Sequence, residues 1–305
     1  MGHKNKRSLH QQAYDLLQAK CGFGRSKQQD KALKVTDQYI YSYSTMKTYL
    51  KVSNEFITWC KANKPKTREI DDLRQYVGDY VKHLAESGKS AYTVKLGLSA
   101  LSKLYGQKFD IETPHTARAD IKRSRGEAVR DKHFSEERNA DMVIACRGVG
   151  FRRFELEKAK SSDLEQIDGQ WYMNIIGKGG KSRKALICGT SDEVLRAVSY
   201  IKTLNGKNKI HSAADIHSYR ADYATKVYKQ NAQIGDLSHL KGQTINYTAL
   251  TGKRAKDGKE WLKSALYVCR NDKAGTVYDR RAMVITSQML GHNRESVIGE
   301  HYLRL

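Results

Sequence analysis

The chain has 305 residues and a formal net charge of +22, from 55 Lys and Arg against 33 Asp and Glu. This length suffices for two domains. The excess of positive charge indicates a polyanionic partner, for which nucleic acid is the leading candidate. Five scattered cysteines without a CxxC pair argue against a disulfide framework or zinc ribbon and favour a reducing cytosol. With no signal-peptide pattern and no apolar run of about 18 residues, we expect a cytoplasmic, nucleoid-associated protein that does not bind membranes.

The N-terminal region predicts one short helix. Over residues 9–19, Ala13, Leu16 and Leu17 form an apolar stripe, and a polar segment follows. We interpret residues 1–40 as an N-terminal extension or arm. A DNA-contacting arm and a surface helix with a basic tail both fit this pattern.

Residues 41–110 predict three amphipathic helices with short loops, which favours a small antiparallel bundle. Apolar residues recur at helical spacing from Met46 to Cys60, from Leu73 to Leu84, and from Val94 to Tyr105 after a cap at Ser90. Residues 111–131 lack periodicity and contain the basic run 122–125, so we interpret them as a basic linker. A merely solvated linker and one that lies along DNA both fit this composition.

The pattern from residue 132 to 305 indicates a mixed α/β domain. We predict a helix over 135–147 that starts at Ser135, and helices near 192–203, 216–229 and 280–291. Residues 171–176 and 184–188 predict two strands joined by the turn GKGGK. The predicted fold class is therefore mainly α with a small β-hairpin sheet.

Short motifs in this half carry reactive side chains. They are GFRRFEL at 150–156, GKGGK at 177–181, HSYR at 217–220, LGH at 290–292, and a tyrosine near the end. Each is common by chance, so their order and combination carry the argument. The candidate catalytic residues are Arg152, Lys178, His217, Arg220, His292 and Tyr302.

These residue types together suit phosphodiester cleavage. Arg152 and Arg220 can neutralise the nonbridging oxygens, because a guanidinium donates paired hydrogen bonds and stays charged. A tyrosine phenol can form a phosphotyrosyl ester, which makes Tyr302 the candidate nucleophile. A lysine in a hairpin turn can protonate the departing oxygen, and the two histidines supply hydrogen bonds and proton transfer near neutral pH.

In these motifs the sequence resembles the tyrosine recombinase, or phage integrase, family. The resemblance covers the C-terminal half and, more loosely, residues 41–110, which are similar to the family's core-binding domain. It implies that Glu155 is the structural acid of the first motif. Arg153 is rejected as the catalytic arginine, and Lys181 is the weaker lysine candidate.

The resemblance also implies an activity. We expect a site-specific recombinase that cleaves and rejoins double-stranded DNA through a 3′-phosphotyrosyl intermediate, without cofactor or metal, for integration or excision of a mobile element. It implies a homo-oligomer on DNA, with a dimer per site and a tetramer in synapsis, and an accessory directionality factor as a further partner.

The sequence departs from the family pattern in three ways. Tyr302 follows His292 by ten positions instead of nine, and one residue turns a helical side chain by about 100°, so we expect a loop at Gly299 to absorb it. Arg220 and His292 lie 72 positions apart instead of twenty-odd. Only Leu303, Arg304 and Leu305 follow Tyr302, so we expect protomers to couple through surfaces other than a C-terminal helix.

The second departure predicts an insertion at about 232–280. It contains a predicted hairpin, with strands at 266–269 and 276–278. A surface elaboration and a DNA or partner contact are both open, the latter because of Lys253, Arg254, Lys256 and Lys259.

Two other functions fit the same residues. A type IB topoisomerase has a similar site and relaxes supercoils, and strand exchange between two marked duplexes separates it from a recombinase. A non-catalytic DNA-binding protein on the same scaffold would give no covalent adduct with nicked DNA.

Overall fold

The computed structural model describes residues 7–116, 134–177, 180–232, 235–270 and 273–305. The chain divides into two compact units, Met1–Lys122 and Arg123–Leu305, here called unit 1 and unit 2. The predicted fold class is confirmed, since helices dominate and the strands form small antiparallel sheets. None of the helices in the described ranges combines the length and apolar character that crossing a membrane requires.

Unit 1 is helical. Its helices are α1 (Leu9–Gln18), α2 (Lys27–Ala32), α3 (Tyr43–Asn63), α4 (Val77–Glu86) and α5 (Ala91–Tyr105), with a 3-10 turn at Ile70–Tyr76 before α4. The predicted cap at Ser90 is present, because its side chain accepts a hydrogen bond from the Thr93 amide. The predicted stripes face one core, which includes Phe56, Val81 and Leu101.

The predicted N-terminal extension contributes to this core. Leu9, Ala13 and Leu17 are buried in it together with Ile40, and α1 packs against α3. A helix with three buried apolar side chains is part of the bundle, so residues 9–18 pack with the core of unit 1. The predicted linker, 111–131, lies largely outside the described residues.

Unit 2 alternates helices with short strands. The elements are α6 (Ala140–Val149), α7 (Arg153–Lys158), β1 (Leu164–Ile167), β2 (Gln170–Ile176), β3 (Ser182–Leu186), α8 (Ser191–Lys202), α9 (Ile216–Asn231), β4 (Thr244–Asn246), α10 (Tyr247–Thr251), β5 (Leu262–Ser264), β6 (Leu266–Val268), β7 (Val277–Asp279), α11 (Arg280–Met289) and α12 (Ser296–His301).

Helix α6 begins five residues later than predicted. Ser135 does cap a local turn, since its hydroxyl accepts from the Arg138 amide. Glu136 is held outward by Tyr219, whose hydroxyl donates to it, and by Arg147. Residues 136–139 form a turn that precedes the helix.

The predicted hairpin is the β2–β3 pair of an antiparallel sheet with strand order β1-β2-β3. Met173 on β2 lies opposite Leu164 on one side and Ala185 on the other. The predicted β6–β7 hairpin is also present. Strands β1, β4 and β5 are additional, and their three or four residues are too few for an alternating pattern to be recognised.

Two apolar clusters support unit 2. One lies between the three-stranded sheet and α6 and α8, and the other lies between α9, α11 and α12. Helices α6 and α9 also pack on each other, and the turn after α6 lies beside the middle of α9. The short motifs of the sequence thus meet where these layers join.

Candidate functional site

The site is built around the turn that ends α6. Gly150 has φ +68°, the left-handed conformation that a helix C-terminus favours in glycine. Its carbonyl oxygen accepts from Arg183 Nη2 at 3.1 Å and also from Arg220 Nη1. The backbone of the first motif therefore fixes two guanidinium groups.

Glu155 on α7 joins three arginines. Its carboxylate lies 2.5 Å from Arg152 Nη1, 3.0 Å from Arg183 Nη2 and 3.8 Å from Arg220 Nη1. Burial alone would raise the pKa of this carboxyl, but Arg183, the Arg152 amide and the other two arginines hold it below its ordinary value. The carboxylate stays ionised and keeps like charges together.

Arg220 on α9 is the most enclosed member, with no exposed surface. Its two Nη atoms donate to the carbonyls of Gly150 and Leu290, so both the first motif and the LGH motif orient it. Burial, and then the positive charges of Arg183 and Arg152, lower its pKa to about 10. It remains protonated at neutral pH.

His292 is the last residue of the LGH motif. Arg220 Nη2 lies 3.4 Å from its Nε2, and since a guanidinium can only donate, the ring proton belongs on Nδ1. Burial, followed by the charges of Arg220 and Arg152, lowers the pKa of His292 to about 3. The ring is therefore neutral at physiological pH.

Tyr302 lies between the two histidines. Its ring centroid is 5.3 Å from that of His217 and 5.2 Å from that of His292, and Arg220 Cζ is 5.7 Å from the ring centre. The residue is 6% exposed. The structure thus brings Arg152, His217, Arg220, His292 and Tyr302 into one connected group.

The extra residue before Tyr302 is accommodated differently from the expectation. Gly299 lies inside α12 and not in a loop, so that prediction is wrong. A Cβ at Gly299 would meet Met283, Tyr278 and Cys269 at 3.0, 3.1 and 3.2 Å. The glycine lets α12 approach α11 and the β6–β7 hairpin closely.

Lys178 lies outside the described residues. Its neighbour Gly177 lies against the arginine group, because a Cβ there would be 3.4 Å from Glu155 Oε1 and 3.5 Å from Arg152 Nη1. Lys181, the weaker lysine candidate, donates to Asn293 Oδ1 at 2.9 Å, directly beside His292. Both ends of the GKGGK turn therefore lie at the site.

Two further arginines support the site. Arg183 was not predicted, although it occupies an inward-facing position of β3, where a cation among apolar neighbours is a signal of a buried ion pair. Arg153 donates to the carbonyls of His211, Ser212 and Ala214, at 3.0, 3.0 and 2.6 Å. It holds the loop that leads into His217 on α9.

Comparison with known families identifies the helical region. Residues 30–114 match the family model described as phage integrase, N-terminal SAM-like domain. This part of the chain is therefore similar to the N-terminal SAM-like domain of phage integrases. This match confirms the resemblance to the phage integrase family that the motifs of unit 2 predict. No curated protein matches the sequence of this chain.

Several solved structures are similar to this chain at low identity. XerH site-specific recombinase in a post-cleavage complex with palindromic difH substrate has a TM-score of 0.44 and 13% identity, over 98% of this chain and 95% of that one. The Tn1549 transposon integrase, in complex with circular intermediate DNA, has a TM-score of 0.42 and 12% identity, over 98% and 96%. XerA recombinase has a TM-score of 0.29 and 14% identity, over 97% and 93%.

Proposed function

We propose that this chain is a site-specific DNA recombinase of the integrase type, which cleaves and rejoins double-stranded DNA through a 3′-phosphotyrosyl intermediate. The observation that carries the proposal is the position of Tyr302, with its ring between His217 and His292 and over the Arg220 guanidinium. The match of residues 30–114 to the phage integrase N-terminal SAM-like domain supports it. So does the charge of +22, which suits a polyanion.

The chemistry assigns one role to each group. Arg152 and Arg220 bind the nonbridging oxygens of the scissile phosphate, and Tyr302 Oη attacks phosphorus as the bond to the 5′ oxygen breaks. The phenol proton passes to an imidazole, for which His217 and His292 are the adjacent groups. Lys178 protonates the departing 5′ oxygen. Rejoining reverses these steps, and the phosphotyrosyl bond stores the energy required.

A phosphate approaches from the side of Arg152 and His217. These two residues line a cavity of about 640 Å³ together with the loop 212–216 that Arg153 holds. Arg220 itself is fully buried, with Tyr302 over it. We propose that the phenol ring turns away from Arg220 when the phosphate binds, which gives the phosphate access to the buried guanidinium.

Mobile-element integration or excision, with a dimer on each site and a tetramer in synapsis, is the biological role that we propose for this activity. A directionality factor would select between the two outcomes. These assignments follow from the resemblance to the integrase family and are tested separately from cleavage, by strand exchange between two duplexes of different length.

The decisive experiment traps the covalent adduct. The DNA site is first selected by the purified protein from a pool of random duplexes. A nick is then placed close to the cleavage position, so that the short fragment with the free 5′ hydroxyl dissociates after cleavage and rejoining is prevented. We expect a band of covalent protein–DNA complex with the wild-type protein and none with Tyr302→Phe, because phenylalanine lacks the attacking oxygen.

The matched control is Tyr267→Phe, which removes another hydroxyl from the same unit and should leave the adduct unchanged. An equal adduct from Tyr302→Phe would contradict the assignment of the nucleophile. No adduct from the wild-type protein on its selected site would favour the non-catalytic DNA-binding alternative. Adducts without strand exchange would favour the topoisomerase.

A further inference from the structure

A second buried ionic group lies seven positions before Tyr302. The Glu295 carboxylate is 3.0 Å from Lys263 Nζ and 3.0 Å from Arg280 Nη1, and it accepts from the Tyr247 hydroxyl at 2.9 Å. The Glu295 side chain is 8% exposed. These four residues are called the Glu295 cluster below. None of them belongs to the recombinase motifs.

The cluster is rigidly built. Lys263 Nζ lies 3.5 Å from the ring centre of Tyr247 and 4.1 Å from that of Trp261, so its charge is enclosed by two aromatic faces as well as by the carboxylate. Arg280 donates to the carbonyls of Ser264 and Leu266 at 2.6 and 2.9 Å. Cations with so many fixed partners hold the carboxylate in one place.

The partners of Glu295 all come from the insertion at 232–280. Tyr247 begins α10, Lys263 lies on β5, and Arg280 begins α11 at the end of the insertion. The extra chain between Arg220 and His292 therefore turns back onto the turn that leads into α12. In the described part of the insertion, this is a structural contact with the site and not only a surface elaboration.

The same insertion binds the main chain on both sides of Glu295. Lys253 Nζ donates to the Asn293 carbonyl at 2.5 Å. Lys273 Nζ donates to the carbonyls of Gly299 and Leu303, at 2.8 and 3.4 Å. Residues 293–303, called the nucleophile segment, are thus held near both ends and at Glu295.

Resting on the proposed function, we propose that the insertion is a brace for the nucleophile segment and that Glu295 is its positioning residue. The brace fixes where the backbone of Tyr302 lies relative to Arg220 and His292. It binds backbone carbonyls and the Glu295 carboxylate, so the Tyr302 side chain is still able to turn about its own bonds when a phosphate enters.

A brace of this kind contributes to the rate of cleavage more than to DNA affinity. In-line attack depends on the reacting atoms being held within a narrow range, and a loosely held nucleophile reacts more slowly. Contacts of the arginines with phosphate do not depend on the position of α12 to the same degree. We therefore expect the first-order rate of adduct formation at saturating DNA to be the sensitive quantity.

The test compares Glu295→Gln with two matched variants of the insertion. Glu295→Gln keeps the shape and removes the charge that pairs with Lys263 and Arg280; we expect the rate of adduct formation at saturating DNA to fall about tenfold with the DNA dissociation constant unchanged. Tyr247→Phe removes one hydrogen bond and should show a smaller loss. Asp257→Asn removes an exposed carboxylate of the same insertion and should keep the wild-type rate.

Amide hydrogen exchange of the DNA-free protein gives a readout that does not depend on catalysis. We expect faster exchange at residues 296–303 in Glu295→Gln than in wild type, with α6 and α9 unchanged. Three results for Glu295→Gln would each overturn the brace. They are a wild-type rate of adduct formation, a loss confined to DNA affinity, and unchanged exchange at residues 296–303. Absence of any adduct with the wild-type protein would overturn the proposed function, and with it the role of Glu295.

Discussion

At the scale of single residues, the site depends on one carboxylate among three arginines. Glu155 is fully enclosed and contacts Arg152, Arg183 and Arg220, while the Gly150 carbonyl accepts from the last two. Without that acid the cations would repel one another in a medium of low polarity. The arrangement concentrates positive charge for a phosphate and, for the same reason, keeps His292 neutral.

The neutral state of His292 predicts a dependence of stability on pH. Its pKa is about 3 in the folded protein and near 6.5 when unperturbed, so between those values the unfolded chain binds a proton that the folded chain does not. The contribution of His292 to the free energy of unfolding should therefore be greatest above pH 6.5. It should decrease as the pH falls from 6.5 towards 3.

Thermal melts of wild type and His292→Asn at several pH values measure this effect. Asparagine still accepts a hydrogen bond from Arg220 but does not titrate, so the melting temperature of the variant should fall less between pH 6.5 and 4. Carboxylates such as Glu155 contribute equally to both proteins. Parallel curves for the two proteins would show that His292 titrates normally.

At the scale of elements, α6 ends where the site begins. Gly150 closes the helix in the left-handed conformation and lies against the Tyr223 ring, and a Cβ there would be 2.3 Å from that ring. The turn thus needs glycine for its backbone conformation and for the close approach of α9. The same carbonyl positions Arg183 and Arg220, so a shift of this turn reaches the site directly.

Gly150→Ala should consequently destabilise unit 2 strongly. The left-handed conformation alone costs alanine about 1–2 kcal/mol, and displacement of Tyr223 adds to it. Gly252→Ala is the matched control, because Gly252 ends α10 at φ +69° and a Cβ there would have no neighbour within 4 Å. Urea unfolding should give a clearly larger loss for Gly150→Ala than for Gly252→Ala, and equal losses would contradict the role of the packing.

At the scale of the whole molecule, charge dominates. A net charge of +22 on 305 residues predicts that binding to DNA is largely electrostatic. Its affinity should then fall steeply with salt, by about three orders of magnitude or more between 50 and 200 mM if at least six phosphates are neutralised. The insertion has exposed cations that can contribute to this electrostatic binding of DNA, in addition to the cations that brace the nucleophile segment.

Salt titrations of Lys256→Ala and Lys259→Ala test that contribution. Lys253, Lys256 and Lys259 are all exposed, but the ammonium group of Lys253 is already bound to the Asn293 carbonyl. If the exposed lysines contact phosphates, each variant should reduce the slope of log affinity against log salt by about 1. Fluorescence anisotropy with labelled duplex measures it, and unchanged slopes would limit the insertion to bracing.

The sequence alone determined which residues are candidates for the site, and it predicted most of the longer elements. Amphipathic stripes predicted α3, α4 and α5, because burial of one helix face leaves a period that can be read locally. Motif order likewise selected Arg152, His217, Arg220, His292 and Tyr302, whose side chains have no local reason to occur together. Their roles in catalysis stay predictions, as does that of Lys178.

Only the tertiary structure decided how those residues are held. Arg183 is recognised as a component of the site from its contact with Glu155, 28 residues away in the sequence. Glu295 is recognised in the same way from its contact with Lys263, 32 residues away. The short strands β4 and β5 pair with each other and carry too few residues to predict. Residues 9–18 join the core of unit 1 because of contacts with α3, and Gly299 lies in a helix because α12 packs closely on α11. Tyr302 was found from the motifs around it, but its place between two histidines depends on long-range contacts that local sequence does not encode.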